Sequence, residues 1–222
     1  MSVVKLEGLV ALLEGFPALT GVDLTVSAGE IVFVKGPNGA GKTTLLHLCA
    51  GLIQPKEGKG QILGHDLSSE RTAIRKKVGL LSHSSGLYRD LTVLENITFW
   101  TQIAGVEKSE IDSRISWALE RMELDNKLQN QKARSLSVGQ KRRASLAVFI
   151  VRRPDLWLMD EPHAGLDQEG RQAVDDLIEE SVRAGATVIV ASHDLERVLN
   201  LATRVVTLSG GAVIGVDHGG KK

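Results

Sequence analysis

A glycine-rich stretch, GPNGAGKTT at residues 36–44, has the spacing of a phosphate-binding P-loop. Glycines let backbone amides curl around phosphate oxygens without obstruction from side chains. Lys42 adds a mobile cation, and the hydroxyl of Thr43 can ligate Mg²⁺. An ordinary glycine-rich turn is the alternative, but a predicted strand before the loop and a predicted helix after it favour the P-loop. The candidate phosphate-binding residues are Gly36, Pro37, Asn38, Gly39, Ala40, Gly41, Lys42, Thr43 and Thr44.

An apolar run that ends in two acids, LWLMDE at residues 156–161, supplies complementary chemistry. Asp160 can hold Mg²⁺ directly or through water, so Thr43 and Asp160 are the candidate metal ligands. Glu161 can orient or deprotonate a water that attacks a phosphate. A strand that merely ends in acidic turn residues is the alternative, and it is the weaker one in a chain that also carries a P-loop pattern.

A third motif, LSVGQ at residues 136–140, opens a predicted helix. Ser137 and Gln140 have the spacing of a capping box, which predicts a well-capped helix start. The same hydroxyl, together with exposed amides at the positive end of a helix, can also bind a γ-phosphate. Both roles stay open, because capping and phosphate binding do not exclude each other.

The elements around these motifs predict an α/β sheet. IVFVK at residues 31–35 is typical of a buried strand, and a helix is expected from about Thr43 to Ala50. VGLLS, LWLMD and ATVIVAS predict three more short apolar strands, each followed by a loop and a helical pattern. The alternation of Val22, Leu24 and Val26 predicts an early antiparallel strand. This order of elements favours phosphate chemistry at the carboxyl ends of the strands.

Helical patterns replace strand-like runs in the middle of the chain. Thr92 and Glu95 fit a capping box, and SEIDSRISWALERM carries apolar side chains at helical spacing. We expect one domain over residues 1–222, in which 1–83 and 154–222 form the α/β core and 84–153 form an inserted helical subdomain.

Composition narrows the classes of protein. Lys plus Arg and Asp plus Glu both number 27, so the net charge of zero provides no global field for nucleic acid or anionic lipid. The basic stretches RTAIRKK and QKRRAS are expected to be solvated helix faces, and no nucleic-acid partner is expected. The single cysteine, Cys49, allows no disulfide within this chain and is expected to be buried. With no signal-peptide pattern and no run near the ~18 apolar residues of a membrane span, we expect a cytoplasmic protein whose membrane role needs a separate partner.

The motifs, in their order along the chain, resemble those of an ABC-type ATPase. GPNGAGKTT, LSVGQ, LWLMDE, AGLD at residues 164–167 and His193 in ASHD carry the resemblance, which covers nearly the whole chain. It implies ATP and Mg²⁺ as cofactors, with Glu161 and His193 in catalytic roles. It implies an α/β fold: a P-loop ATPase core with an antiparallel β subdomain and an inserted helical subdomain. It also implies a nucleotide-sandwich dimer with a second copy of the chain. The residues that would complete the other copy's ATP site are Ser137, Val138, Gly139, Gln140 and Asp167.

A second layer of phrases resembles the haem-exporter ATP-binding subunits of cytochrome c maturation systems. These phrases are TLLHLCAGL, ILGHDL, GLYRDLTVLENITFW, LWLMDEPHAGLDQEG and ATRVVTLSGG. The resemblance implies an ATP-hydrolysing subunit at the cytoplasmic face of the cell membrane, beneath a separate integral membrane transporter subunit, that powers haem export or haem handling. The alternatives are another ABC exporter or a non-transport ABC ATPase in nucleic-acid or iron–sulfur processes. Pairing with a related ATPase, instead of a second copy, also stays open.

Several positions depart from the family pattern. His83 in VGLLSH stands at the Q-loop position, where the family usually has glutamine. Because an imidazole nitrogen suits Mg²⁺ poorly, we expect a water-mediated contact or a conformational link. The family's adenine-stacking aromatic residue aligns with Leu13, and Phe16 is nearby, so both are candidate adenine contacts. Val138 and Ala164 replace common residues of the family motifs without removing a phosphate-facing group.

Overall fold

Two β-sheets and a set of helices make up residues 1–192 and 200–220, the part of the chain that the computed structural model describes. No helix in this part is long and apolar enough to cross a membrane. The strands are β1 Ser2–Leu13, β2 Phe16–Ser27, β3 Ile31–Lys35, β4 Glu57–Ile62, β5 His65–Asp66, β6 Val78–Leu81, β7 Leu156–Asp160, β8 Thr187–Ala191, β9 Arg204–Ser209 and β10 Ala212–His218. The α-helices are α1 Lys42–Cys49, α2 Arg71–Lys77, α3 Val93–Ile103, α4 Lys108–Arg121, α5 Asn126–Gln129, α6 Val138–Val151 and α7 Gln168–Arg183, with a 3₁₀ helix at Ala133–Ser135.

The larger sheet places the P-loop and the LWLMDE acids at one edge. Its strand order is β10-β9-β3-β8-β7-β6, and both β3 and β7 pair in parallel with β8. Every residue of β7 and β8 is buried, which explains why both strands are continuous apolar runs. The carboxyl ends of β3 and β7 therefore meet at the same edge of the sheet. The strands predicted at IVFVK, VGLLS, LWLMD and ATVIVAS are confirmed, and so is the helix predicted after the P-loop.

The smaller sheet is antiparallel, in the order β2-β1-β4-β5. Val22, Leu24 and Val26 of β2 are buried, as their alternation predicts, in a core that also contains side chains of β3 and α1. Cys49 belongs to this core, and burial raises the pKa of its thiol to about 12. The chain therefore has the predicted α/β fold class with an antiparallel β portion, and its cysteine is buried as expected.

Helices dominate residues 84–153. The hydroxyl of Thr92 accepts a hydrogen bond from the Glu95 amide at 3.1 Å, and the Glu95 carboxylate accepts one from the Thr92 amide at 2.7 Å. This capping box confirms the predicted start of α3. In α4, the helical spacing buries Ile115 and Leu119, and both α3 and α4 pack against α6. The apolar stripes predicted from the sequence thus face helical neighbours.

The described chain divides into two compact units. Unit 1 contains Met1–Leu80, Pro154–Pro162 and Ile178–Lys222, and unit 2 contains Leu81–Arg153 and His163–Leu177. The predicted division stays a prediction, and it differs from these units mainly in the His163–Leu177 segment, which the sequence assigned to the α/β core. The segment groups with unit 2 because it contacts α6 through side-chain and backbone interactions, described below.

Candidate functional site

Two glycines of the P-loop occupy positions where no side chain fits. Gly36 has a φ of +157°, and a Cβ there would lie 2.1 Å from the carbonyl oxygen of Leu208. Gly41 has a φ of +101°, and a Cβ there would lie 2.7 Å from the carbonyl oxygen of Ala18. Both the backbone conformation and the close approach of neighbouring strands therefore require glycine. The spacing of the motif follows from packing as well as from phosphate chemistry.

The Lys42 side chain lies within the P-loop. Its ammonium group donates hydrogen bonds to the carbonyl oxygens of Gly36 at 2.8 Å and Pro37 at 3.0 Å. The residue is only 8% exposed, so the loop itself holds the cation in place. Lysine has three N–H donors, and a phosphate oxygen can accept from the same group. Lys42 is thus positioned where an anion bound by the loop would meet a positive charge.

Helix α1 begins without a side-chain cap. Gly41 is its N-cap residue, and the first turn contains no acidic residue. The first amides of an α-helix have no partner within the helix, and the positive end of the helix dipole lies beside them. An uncapped helix start that follows a glycine-rich loop and carries Lys42 is suited to bind phosphate oxygens.

Thr43 and Asp160, the two predicted metal ligands, are hydrogen-bonded to each other. The Thr43 hydroxyl donates to Oδ2 of Asp160 at 2.7 Å, and Asp160 is buried at the end of β7. Within residues 1–192 and 200–220, no group of three or more His, Cys, Asp or Glu side chains could hold a metal ion. One carboxylate and one hydroxyl fit Mg²⁺, which proteins commonly hold with few side chains and with phosphates of the substrate.

Glu161 is held at its backbone and at its carboxylate. Its φ of +47° lies in the left-handed region, which is strained for a residue with a side chain and is often found at functional sites. Its amide donates to the carbonyl oxygen of Ala191 at 2.8 Å, and its Oε2 accepts from the Ser192 hydroxyl at 2.9 Å. These contacts fix the direction of a candidate base. The catalytic role expected for His193 concerns a residue outside the described ranges.

The LSVGQ motif forms the start of α6, where Ser137 and Val138 are exposed and Leu136 is buried. The Ser137 hydroxyl accepts from the Gln140 amide at 3.2 Å, and the Gln140 side chain accepts from the Ser137 amide at 2.9 Å. The predicted capping box is therefore confirmed. Val138 is 73% exposed although it is apolar. The capping box thus gives partners to the Ser137 and Gln140 amides, while Ser137 and Val138 stay exposed to solvent.

Asp167 caps the start of α7 and reaches α6. Its Oδ1 accepts from the Gly170 amide at 2.9 Å and from the Arg143 guanidinium at 3.2 Å. Arg143 also forms an ion pair with Glu123. The Gly170 hydrogen bond and the Arg143 charge lower the pKa of Asp167. The carboxylate is therefore held ionised on an exposed surface of unit 2.

The AGLD turn, residues 164–167, also contacts the LSVGQ motif through close backbone packing. A Cβ on Gly139 would lie 3.0 Å from the carbonyl oxygen of Gly165. A Cβ on Gly165 would lie 2.8 Å from a methyl group of Val138, and Gly165 has a φ of +76°. Two motifs that the sequence separates by more than twenty residues therefore share one surface of unit 2.

His83 lines a cavity of about 360 Å³ in unit 2, together with Lys141, Arg142 and residues of the AGLD turn. The residues on both sides of His83 are tied to α6. Arg142 donates to the carbonyl oxygen of Ser82 at 2.9 Å, and the Ser145 hydroxyl donates to that of Ser85 at 2.7 Å. The segment that carries His83 is therefore coupled to the helix that begins with the LSVGQ motif.

The candidate adenine contacts lie at the tip of the β1–β2 hairpin. Leu13 and Phe16 form a cross-strand pair, and they are 53% and 76% exposed. Exposed apolar side chains on a hairpin tip offer a surface on which a planar base can stack. Phe16 provides the aromatic face, while Leu13 occupies the aligned position.

Two partnerships were missed by the sequence reasoning. Ser192 supports Glu161, and its place directly before His193 in ASHD was an available signal. His163 and Asp175 form a buried pair with Nε2 and Oδ1 2.8 Å apart. No sequence pattern pointed to this pair, because twelve positions separate two residue types that are common in solvated helices and turns.

Comparison with known proteins places these motifs in a family context. The model of a family described as ABC transporter matches residues 19–164. The cell division ATP-binding protein FtsE of Escherichia coli (strain K12) is 36% identical over 214 residues, which cover 95% of this chain and 94% of FtsE. The sulfate/thiosulfate import ATP-binding protein CysA 1 of Agrobacterium fabrum is 36% identical over 215 residues, and the chain spans only 62% of its length. The ATP-binding cassette MJ0796, a dimer bound to ADP and Pi in a post-hydrolysis state, superposes with a TM-score of 0.88 at 28% identity, covering 97% of this chain and 98% of that one.

Proposed function

This chain belongs to the ABC transporter family and is an ABC-type ATPase, and we propose that it supplies the energy of ATP hydrolysis to a transporter whose membrane-spanning part is a separate subunit. The observation that carries the proposal lies in unit 1. There the Lys42 ammonium is held within the P-loop, and the Thr43 hydroxyl donates a hydrogen bond to Oδ2 of Asp160 at 2.7 Å. Hydrolysis of a nucleotide uses a cation that binds the phosphates and oxygen ligands that hold Mg²⁺, and these residues provide both.

In the proposed mechanism, the P-loop binds the phosphates of ATP. Lys42 donates to a phosphate oxygen with the N–H that its two carbonyl contacts leave, and the uncapped start of α1 adds backbone donors. Thr43 and Asp160 are the residues that would hold Mg²⁺, and the ion would supply positive charge to the phosphates of the nucleotide. Glu161 orients the attacking water and accepts its proton, while Ser192 keeps the carboxylate in one direction.

We propose that two copies of the chain form the working ATPase. The Ser137 cap, Val138 and Asp167 are exposed on unit 2, which suits contact with a second protein. The dimer of the similar cassette MJ0796 supports this arrangement. In such a dimer, Ser137, Val138, Gly139, Gln140 and Asp167 of one copy would complete the ATP site of the other.

Replacing Glu161 with Gln tests hydrolysis and dimerisation together. Because the amide cannot accept a proton, we expect Glu161→Gln to bind ATP, to turn over at less than about 1% of the parent rate, and to stay dimeric with ATP. Light scattering after gel filtration measures the dimer, and phosphate release measures turnover. Lys42→Ala added to Glu161→Gln should leave a monomer at the same ATP concentration. Full turnover by Glu161→Gln would contradict the role of Glu161.

The finer proposal concerns cargo. We propose haem export, or haem handling for cytochrome c maturation, at the cytoplasmic face of the cell membrane. What supports it is the resemblance of phrases such as TLLHLCAGL and LWLMDEPHAGLDQEG to the ATP-binding subunits of those systems. FtsE and CysA 1 are named for cell division and for sulfate/thiosulfate import, and those names describe those proteins alone.

Copurification and gene loss test the cargo. An integral membrane subunit that copurifies with the tagged chain would support transport, whereas stable nucleic-acid or soluble iron–sulfur assembly partners would contradict it. Loss of the gene should reduce covalent haem attachment to cytochrome c, measured by haem-stained gels. Expression of the Glu161→Gln variant should not restore attachment, while the parent chain should. Normal attachment after loss, with no substituting cassette, would overturn the haem assignment.

We propose that His83 links the nucleotide state to the membrane partner. What supports this is that the chain is anchored to α6 before and after His83, at Ser82 by Arg142 and at Ser85 by Ser145. His83→Ala should lower partner-stimulated turnover several-fold while ATP affinity stays within about twofold, since the side chain is expected to act through a water-mediated contact or a conformational link and not to coordinate Mg²⁺ directly. His83→Gln, which restores the usual family residue, should retain coupling. Equal stimulation of the parent and His83→Ala would contradict the link.

A further inference from the structure

Unit 2 contains a buried polar pair for which the proposed mechanism has no role. His163 is 4% exposed and Asp175 is 7% exposed, and the ring Nε2 lies 2.8 Å from Oδ1. Because Oδ1 is a carboxylate acceptor, Nε2 carries the hydrogen and donates it. Ring Nδ1 is also buried, and no residue in the described ranges bonds to it. A buried ring nitrogen without a hydrogen bond costs stability, and a well-packed apolar side chain at this position would avoid that cost. We therefore expect the pair to have a role that apolar packing does not supply.

The pair ties the AGLD turn to α7. His163 directly precedes the turn, and Asp175 lies two helical turns into α7. At the other end of the turn, the Asp167 carboxylate accepts from the Gly170 amide, also in α7. Within the turn, the Leu166 amide donates to the carbonyl oxygen of His163 at 3.3 Å. The turn is therefore fastened to the same helix at its beginning and at its end.

The AGLD turn, held in this way on α7, packs against the LSVGQ motif. Gly165 packs so closely on Val138 and Gly139 that a Cβ on either glycine would meet the other segment within about 3 Å. Asp167 is joined to α6 by Arg143. A shift at the start of the turn would therefore move the exposed surface of Val138, change the position of Asp167, or do both. These are the residues that the proposed function assigns to the dimer.

We propose that His163 is a positioning residue: its hydrogen bond to Asp175 fixes the AGLD turn, and through it the LSVGQ motif, in the arrangement that meets a second copy of the chain. This inference rests on the proposed ATP-dependent dimer and adds a residue that touches neither ATP nor the partner. Its effect should appear in the affinity between the two copies, while ATP binding to each monomer stays unchanged.

The test compares three replacements of His163 in the Glu161→Gln background. A Gln side chain places its Nε2 donor the same number of bonds from the backbone as the imidazole Nε2, whereas the Asn amide is one carbon shorter. We expect His163→Ala and His163→Asn to weaken the ATP-bound dimer at least about tenfold, since a buried hydrogen bond to a charged acceptor is lost. His163→Gln should restore the dimer to within about threefold of the parent.

Sedimentation equilibrium with saturating ATP measures the dimer dissociation constant, and a fluorescent ATP analogue measures binding to the monomer. Asp175→Ala should also weaken the dimer at least about tenfold, and the double replacement should weaken it by less than the product of the two single effects, because both single replacements remove the His163–Asp175 bond. If His163→Ala does not fold, the comparison of the Asn and Gln variants decides, since they differ only in reach.

Three results would overturn the inference, and they can be told apart. Equal dimer affinity in the Ala, Asn and Gln variants, with only the melting temperature lowered, would reduce the pair to a stabilising contact. Absence of an ATP-dependent dimer in the Glu161→Gln parent itself would overturn the proposed function and this inference together. A weakened dimer accompanied by equally weakened ATP binding to the monomer would also count against a positioning role.

Discussion

The P-loop and the LSVGQ motif each lie at the start of a helix and are each proposed to contact phosphate, yet the two helix starts are built in opposite ways. Helix α1 starts with no side-chain cap, and its Lys42 is 8% exposed. Helix α6 starts with a complete capping box, and its Val138 is 73% exposed. The first site leaves its amides to a ligand within its own unit. The second bonds its Ser137 and Gln140 amides within the motif and presents an exposed surface, which fits the proposed contact with a second copy of the chain.

The largest expected effect concerns the P-loop cation. Lys42→Ala removes a charge-assisted hydrogen bond to phosphate, worth about 1.5–3 kcal/mol, so ATP affinity should fall about tenfold to a hundredfold. Isothermal titration on the monomer measures this. Lys56→Ala, at an exposed position in unit 1, is the matched control and should bind ATP like the parent. Equal ATP affinity in both variants would contradict the contrast between the two helix starts, since the Lys42 cation of the P-loop would then add nothing to ATP binding by the monomer.

The LSVGQ motif predicts a different pattern of loss. Ser137→Ala should lower unfolding stability by about 1 kcal/mol through loss of the cap, and leave ATP binding to the monomer intact. Turnover should fall about tenfold or more, because a phosphate contact of about 1.5–3 kcal/mol is also lost. Thr92→Ala removes the other capping box of unit 2 and is the matched control.

Urea unfolding and ATP turnover, measured on both variants, separate capping from phosphate binding. Thr92→Ala should lose similar stability but keep turnover. If both variants lose turnover in proportion to their loss of stability, Ser137 is only a helix cap, and the motif would have no role in phosphate binding.

The sequence predicted the elements whose signals are local. The strands around residues 31–35, 156–160 and 187–191 are continuous apolar runs because they are buried in a parallel sheet. Both capping boxes follow from residue types three positions apart, and both are present. Gly36 and Gly41 were likewise predictable from the motif, although the carbonyl oxygens that exclude a side chain belong to distant strands.

What the sequence could not predict depends on contacts between distant positions. The grouping of His163–Leu177 with unit 2 results from Gly165 packing on α6 and from Arg143 bonding to Asp167. The His163–Asp175 pair depends on burial, which residue type alone does not reveal for histidine or aspartate. Neither has a periodic or spaced signature, so only the folded chain brings them together.

A smaller effect on ATP affinity is expected at the tip of the β1–β2 hairpin, which is proposed to contact the base of the nucleotide. Phe16→Ala should weaken ATP binding about fivefold, since stacking of a base on an aromatic ring is worth about 1–3 kcal/mol and the exposed tip lies at the low end. Leu13→Ala, its cross-strand neighbour, should change affinity less than about twofold. Titration of each variant with ATP and GTP measures both affinity and selectivity. A larger loss in Leu13→Ala would reassign the contact to the aligned position.

The smallest effect concerns the acid that joins the AGLD turn to α6. The Gly170 amide, aided by the Arg143 charge, lowers the pKa of Asp167, so ionised Asp167 stabilises the folded chain. That stabilisation is complete above the unfolded pKa of about 3.9 and is lost as pH falls through the lower folded value. The stability of the parent relative to Asp167→Asn should therefore shrink below about pH 4. Asp66→Asn, whose carboxyl pKa is lowered by Ser69, should show the same pH window in urea unfolding while leaving turnover unchanged. A pH-independent difference for Asp167→Asn would mean that its charge does not hold the turn, and the LSVGQ surface would then depend on packing alone.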